Sequence, residues 1–181
     1  QNYWPSPGRT EWPLTVETRP TKARVLANLS DCEIVHFACH GAHDPTDPSR
    51  SLLLLHDHEH DPLTVANLAE MRLDSSQLAY LSACRTAFMD SVELIDEAIH
   101  LTSAFQLAGF PQVIGTLWEI NDEVASQMAA DFYAELGRLT SQRGGLTTDE
   151  AAGALHQTVR RFRDRDPRLP YLWAAYLHAG I

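Results

Sequence analysis

Short apolar runs alternate along this chain with segments of helical period, and this alternation constrains the fold more than any other feature. Glu33–Ala38 (EIVHFA), Ser51–Leu55, Gln77–Ala83 (QLAYLSA) and Gln112–Leu117 read as extended and buried. Between them lie helical patterns. Val25, Leu26 and Leu29 share a face after Thr21, a shorter helix follows Leu63-Thr64 up to Leu73, and Ala98–Ala108 is closed by Gly109 and Pro111. Val124, Met128, Phe132 and Leu136 recur at steps of four, and a last helix carries Leu155, Val159 and Phe162. Thr147 with Glu150 offers that helix a capping box, and its basic end, Arg160–Arg165, suits the helix dipole. Parallel strands need crossover helices, so the pattern predicts an α/β sandwich around a mostly parallel sheet. Before it, Gln1–Pro13 reads as an irregular, proline-rich lead-in or linker, with a short strand expected at Leu14–Thr18.

The length of 181 residues suits one such domain, here residues 14–181. Lys and Arg number 14 against 24 Asp and Glu, a net charge of −10, so a phosphate backbone meets a repulsive surface and nucleic acid is not an expected partner. No apolar run is long enough to span a bilayer, and Gln1–Pro20 has neither a basic nor an apolar leader region. Cys32, Cys39 and Cys84 are odd in number and form no C-x-x-C spacing, which favours a reducing, cytoplasmic compartment.

In parallel sheets ligands sit beyond the carboxyl ends of the strands. The residues leaving three of the expected strands are Cys39-His40-Gly41, Cys84-Arg85-Thr86 and Trp118–Asp122. Cys84 and His40 are 44 residues apart (84 − 40), each at the end of its own strand. A thiol of ordinary pKa is only a few per cent thiolate at neutral pH, so a nucleophilic cysteine needs an imidazole to take its proton. Gly41 lets backbone approach a substrate closely, and its N–H with that of Cys84 could hold an oxyanion. The plain alternative is a small core cysteine ending a buried strand.

Four ordered blocks, Ile34–Gly41 (IVHFACHG), Leu81–Thr86 (LSACRT), Gly115–Asp122 (GTLWEIND) and Leu172–Gly180 (LWAAYLHAG), resemble the CHAT domain, a caspase-like peptidase module commonly attached to tetratricopeptide repeats. The resemblance runs from Leu14 to the C-terminus and implies kinship with caspases, separases, metacaspases and gingipains. It implies a caspase-like three-layer α/β/α sandwich and a dyad of His40 and Cys84, acting as general base and nucleophile without a cofactor. The family ordinarily has a further strand and helix upstream of Leu14, which this chain is expected to lack, and the resemblance implies an upstream tetratricopeptide-repeat or other regulatory domain or subunit as partner beside the protein substrate. Arg85 stands where glutamate is common in the family.

The Leu-Trp-x-x-x-Asp segment ending at Asp122 is similar to one in separases, where the matching carboxylate lines the pocket for an arginine side chain, so a basic P1 residue is expected. A fixed carboxylate suits the two-pronged guanidinium. Asn121-Asp122-Glu123 is equally a capped helix start, and the two roles can coexist. Arg85 is a counter-signal, since a pocket arginine would favour an acidic P1. Ser82 shares the face of Cys84 by strand alternation and is expected in the pocket wall.

His56–Asp61 (HDHEHD) could bind a metal but reads better as a solvated hairpin tip, and no metal is expected. His36 reads as a buried, hydrogen-bonded core residue, and Met71, Met89, Met128, Trp118 and Trp173 as core or cleft wall. No phosphate loop or nucleophile elbow is present, and the residue six after Cys84 is Asp90 where a cysteine phosphatase needs arginine. Thr140–Gly145 (TSQRGG) reads as an exposed connection between helices, with Arg143-Gly144 the bond suited to self-cleavage. The expectation is a cysteine endopeptidase; the rival is a catalytically inactive caspase-like signalling module.

Overall fold

The computed structural model describes residues 15–42, 44, 46–82, 84–85, 91–141 and 148–180. Its elements in chain order are α1 (Lys22–Leu29), β1 (Ile34–Phe37), β2 (His40–Ala42), β3 (Leu52–Leu53), β4 (Leu63–Thr64), α2 (Val65–Ala69), β5 (Leu78–Leu81), β6 (Cys84–Arg85), α3 (Ser91–Ala108), β7 (Gln112–Thr116), α4 (Asp122–Ser141), α5 (Ala151–Arg165) and β8 (Tyr176–Gly180), with short 3-10 turns at Pro48–Arg50, Thr148–Glu150 and Pro170–Leu172. They form two compact units, 18–119 with 175–181, and 120–174 with 1–17.

The larger unit holds both sheets. The main sheet runs β1-β5-β7-β8, and the smaller one β4-β3-β2-β6. β1, β5 and β7 are parallel, while β8 closes the edge antiparallel to β7. This is the mostly parallel α/β architecture expected. Val35, Phe37, Ala79, Leu81 and Val113 alternate onto one sheet face and pack with Leu29 of α1, Leu68 of α2 and Phe105 of α3 in a single apolar core. Phe105 lies edge-on between Phe37 and Phe110, with ring centroids 5.3 and 5.6 Å away.

Local sequence explains most element ends. Thr21 caps α1, its hydroxyl accepting from the Arg24 N–H. Thr64 and Asn67 form a reciprocal capping box at α2. α2 ends at Ala69, short of Leu73, because the chain turns to dock the Leu73 N–H on the Ala108 carbonyl at 2.8 Å. α3 begins at Ser91, seven residues before the expected start at Ala98, in keeping with the helical spacing of Val92, Ile95 and Ile99 in the sequence. β8 was not foreseen as a strand. Thr15–Thr18 is irregular rather than the strand expected there, and Val16 is 65% exposed.

In the smaller unit, Met128, Phe132 and Leu136 on α4 and Leu155 and Phe162 on α5 are buried at the spacing the sequence predicts. The buried Glu135 accepts from Arg138 Nη2 at 2.6 Å and from Arg161 Nη1 at 2.9 Å, tying α4 to α5. Glu150 stands at the N-cap of α5 without a side-chain capping bond, and the capping box expected at Thr147 falls outside the described residues. Met89 and the Arg143-Gly144 bond lie outside them too. Thr140, expected on an exposed connection, is 2% exposed because α4 runs on to Ser141. No described helix is long and apolar enough to cross a membrane.

Gly109 has φ 124°, and an added Cβ would stand 2.5 Å from the Leu73 carbonyl oxygen. Gly109→Ala is therefore expected to destabilise the protein by about 1–3 kcal/mol, read from denaturant unfolding. Hydrogen bonds from Arg138, with those from Arg161, hold the Glu135 carboxyl below its ordinary pKa. Its stabilising contribution is full above the ordinary carboxylate range and is lost as pH falls through the lowered value. Glu135→Ala should remove about 1–2 kcal/mol at neutral pH, discounted for the half-exposed arginines, and flatten the acid limb of the stability curve.

Candidate functional site

β1 and β5 pair in register from Ile34↔Leu78 to Phe37↔Leu81, a constant offset of 44 residues. The same offset resumes beyond a two-residue interruption, where β2 and β6 pair His40↔Cys84 and Gly41↔Arg85. This pairing sets the His40 and Cys84 backbones directly opposite each other, one strand spacing of about 4.8 Å apart. This is the juxtaposition expected at the carboxyl rim.

Exposure along the first strand alternates through the site. His36, Ala38 and His40 are exposed, whereas Phe37 is buried and Cys39 packs against the apolar core. Burial pushes the Cys39 thiol up to about 12. Cys32 is raised as well, by burial and by the nearby Asp31 carboxylate. Both are therefore thiols held protonated, and Cys39 packs as a small core residue.

The Leu54 N–H donates to the His40 carbonyl at 2.7 Å, turning the His40 peptide groups toward β3 and, by alternation, those of Gly41 toward β6. A Cβ at Gly41 would meet the Leu52 carbonyl oxygen at 3.5 Å, ordinary contact, so packing does not demand glycine there.

Ser82 is half-buried, and its hydroxyl lies 2.9 Å from His36 Nε2. The expectation for His36 was half right. It is hydrogen-bonded, but it lies on the exposed face of β1 rather than in the core, because its even position shares the alternation of His40. Enough protein surrounds the ring that desolvation lowers its pKa to about 4. His36 with His40, and Ser82 two residues before Cys84, show the even-numbered spacing that would have signalled this in the sequence.

In the smaller unit, Asp122 is the exposed first residue of α4. The Asn121 carboxamide oxygen accepts from the Glu123 N–H at 2.9 Å, so Asn121, not Asp122, caps the helix.

The His56–Asp61 tract is the tip between β3 and β4, and its carboxylates clasp α1. Asp57 accepts from the Lys22 N–H at 3.1 Å, Asp61 from Lys22 Nζ at 2.9 Å, and Arg19 Nη2 lies 3.3 Å from His56 Nε2. Among the described residues no three His, Cys, Asp or Glu side chains are grouped to hold a metal.

A mostly parallel sheet with a histidine and a cysteine in register at its carboxyl rim is the architecture of caspase-like α/β proteins. The chain belongs to the CHAT domain family, whose family model matches residues 7–181. The family is related to caspase-like cysteine peptidases. Comparison with curated proteins finds no match.

At pH 8 a thiol of pKa near 12 is thiolate in only about one part in ten thousand. Iodoacetamide should therefore spare Cys39 in the native protein and modify it readily after unfolding in guanidinium, as read by peptide mass mapping. Rapid native modification of Cys39 would show that it is not a core thiol.

Proposed function

We propose that this protein is a cysteine endopeptidase in which Cys84 is the nucleophile and His40 the general base and then acid. The observation that carries the reading is the in-register pairing of His40 with Cys84 on parallel strands. His40 takes the thiol proton, the thiolate attacks the scissile carbonyl, and the tetrahedral oxyanion binds the N–H groups of Gly41 and Cys84. The imidazolium then gives its proton to the leaving amine, and water hydrolyses the acyl-enzyme. The Gly41 peptide groups are turned toward β6, so oxyanion binding requires the two-residue β2–β6 pair to part. That costs only a ladder bond or two, about 1 kcal/mol each.

Asp122 selects a basic P1 residue through paired hydrogen bonds to the guanidinium. Its exposure and the capping by Asn121, which leaves its carboxylate without cap duty, support this. Ser82 contributes to the pocket wall. The substrate is a protein, the setting is cytoplasmic, and an upstream tetratricopeptide-repeat or other regulatory domain or subunit controls the activity, as the family relationship suggests.

Cys84→Ala and His40→Ala should each abolish cleavage of arginine-terminated fluorogenic peptides with the fold intact, and the double variant should lose little more. Wild-type turnover by Cys84→Ala would overturn the nucleophile assignment; a folded wild type that turns over no peptide and is not labelled by an arginyl chloromethyl ketone would favour the inactive signalling module.

Loss of a hydrogen-bonded charge partner costs about 2–5 kcal/mol. Asp122→Ala should thus lower kcat/KM for an arginine substrate by about 30- to several-thousand-fold, while a small electrophile still labels Cys84. Thermal stability should change by about 1 kcal/mol or less, the worth of a helix-terminal charge. An unchanged preference for arginine over aspartate would remove the P1 assignment alone.

A further inference from the structure

Between the end of the β1–β5 ladder at Phe37↔Leu81 and the His40↔Cys84 pair, Ala38, Cys39 and Ser82 belong to neither ladder. Ser82 makes two bonds to the first strand just below this gap. Its N–H donates to the Phe37 carbonyl at 2.9 Å, and its hydroxyl meets His36 Nε2 at 2.9 Å. His36 is a register partner of Tyr80, so its reach to Ser82 is the diagonal one, two residues up the neighbouring strand.

The imidazole is itself held. Its ring lies 4.7 Å from that of Tyr80 at 53°, and Tyr80 is fully buried. The connection thus runs from a ring fixed in the interior, through the imidazole, to a hydroxyl two residues before Cys84. The ring is uncharged at neutral pH, since its pKa is lowered to about 4, so it meets the hydroxyl as a neutral partner with one N–H and one lone pair.

We propose that His36 is a positioning residue, which by holding Ser82 sets the path on which the chain leaves β5 and so where Cys84 stands opposite His40. This inference rests on the reading of His40 and Cys84 as the catalytic pair. The clasp lies below the point at which β6 parts from β2 to admit an oxyanion, and it keeps the two strands aligned when they do. A bond that only added stability would be replaceable by any packing of equal strength. A bond that sets direction is replaceable only by a group presenting a hydrogen-bonding atom at the same reach.

The test compares the wild type with His36→Leu, His36→Gln, Ser82→Ala and the His36→Leu/Ser82→Ala double variant. Glutamine reaches about as far as Nε2; leucine keeps bulk without polarity. With an arginine-terminated peptide, His36→Leu and Ser82→Ala should each lower kcat about ten- to a hundredfold, with KM nearly unchanged in His36→Leu, because misplacement of reacting groups acts on kcat. The double variant should be no worse than the poorer single one. His36→Gln should recover most of kcat while melting at the same temperature as His36→Leu. Additive losses, or no recovery in His36→Gln, would overturn the inference, and Ser82→Ala tests the same bond if His36→Leu does not fold.

The rate of Cys84 alkylation by iodoacetamide, resolved by mass mapping, separates this inference from the peptidase reading. Should the wild type cleave no peptide, the peptidase reading fails on its own. Cys84 alkylation must still change at least about threefold in His36→Leu, with Cys32 unaffected, and an unchanged rate overturns the positioning role.

Discussion

The site depends on one constraint, the constant register between the first two parallel strands. The offset is 44 both from Ile34↔Leu78 to Phe37↔Leu81 and again from His40↔Cys84 to Gly41↔Arg85. A one-residue slip would turn every side chain of a strand to its other face. Here it would carry Phe37 out of the core and set His40 against a different partner. Burial of Phe37, Leu81 and Ala79 against α1, α2 and α3 forbids that slip. The apolar core thus determines the pairing at the rim.

The same alternation sorts the cysteines. Cys39 and His40 are adjacent in sequence but point to opposite faces, one toward the core and one toward solvent. Burial leaves Cys39 a packing residue with its thiol held protonated near pKa 12, while the neighbouring imidazole stays accessible. Two chemically able side chains one residue apart therefore cannot substitute for each other.

The loop beyond the site is also held. Asp57 receives the first amide of α1, and Asp61 pairs with Lys22, so the hairpin tip is fixed to the helix start that precedes β1. An anionic group at a helix N-terminus meets both the unpaired N–H groups and the helix dipole. Within the acidic tract Asp57 thus adds an acceptor at the start of α1, while Asp61 is an ion-pair partner of the Lys22 side chain.

Local rules in the sequence determined the elements themselves. The apolar runs around β1, β5 and β7, the cap at Thr21, the glycine after α3 and the four-residue steps on α4 are signals within a few residues of one another, and the helices and strands follow them. The separation of His40 and Cys84 was equally legible, and with parallel strands it already implied two neighbours at one rim. What remained hidden depends on partners distant in sequence. β8 is a strand because β7 offers it an edge 60 residues away in sequence, the offset of Thr116↔Tyr176. Asn121 rather than Asp122 caps α4 because backbone geometry at the helix start, not residue type, chooses between two adjacent acceptors. His36 meets Ser82 across 46 residues of chain only once the register is set. Propensity and periodicity act over a few residues, whereas register is decided by which apolar faces can be buried together, and only the tertiary structure holds that answer.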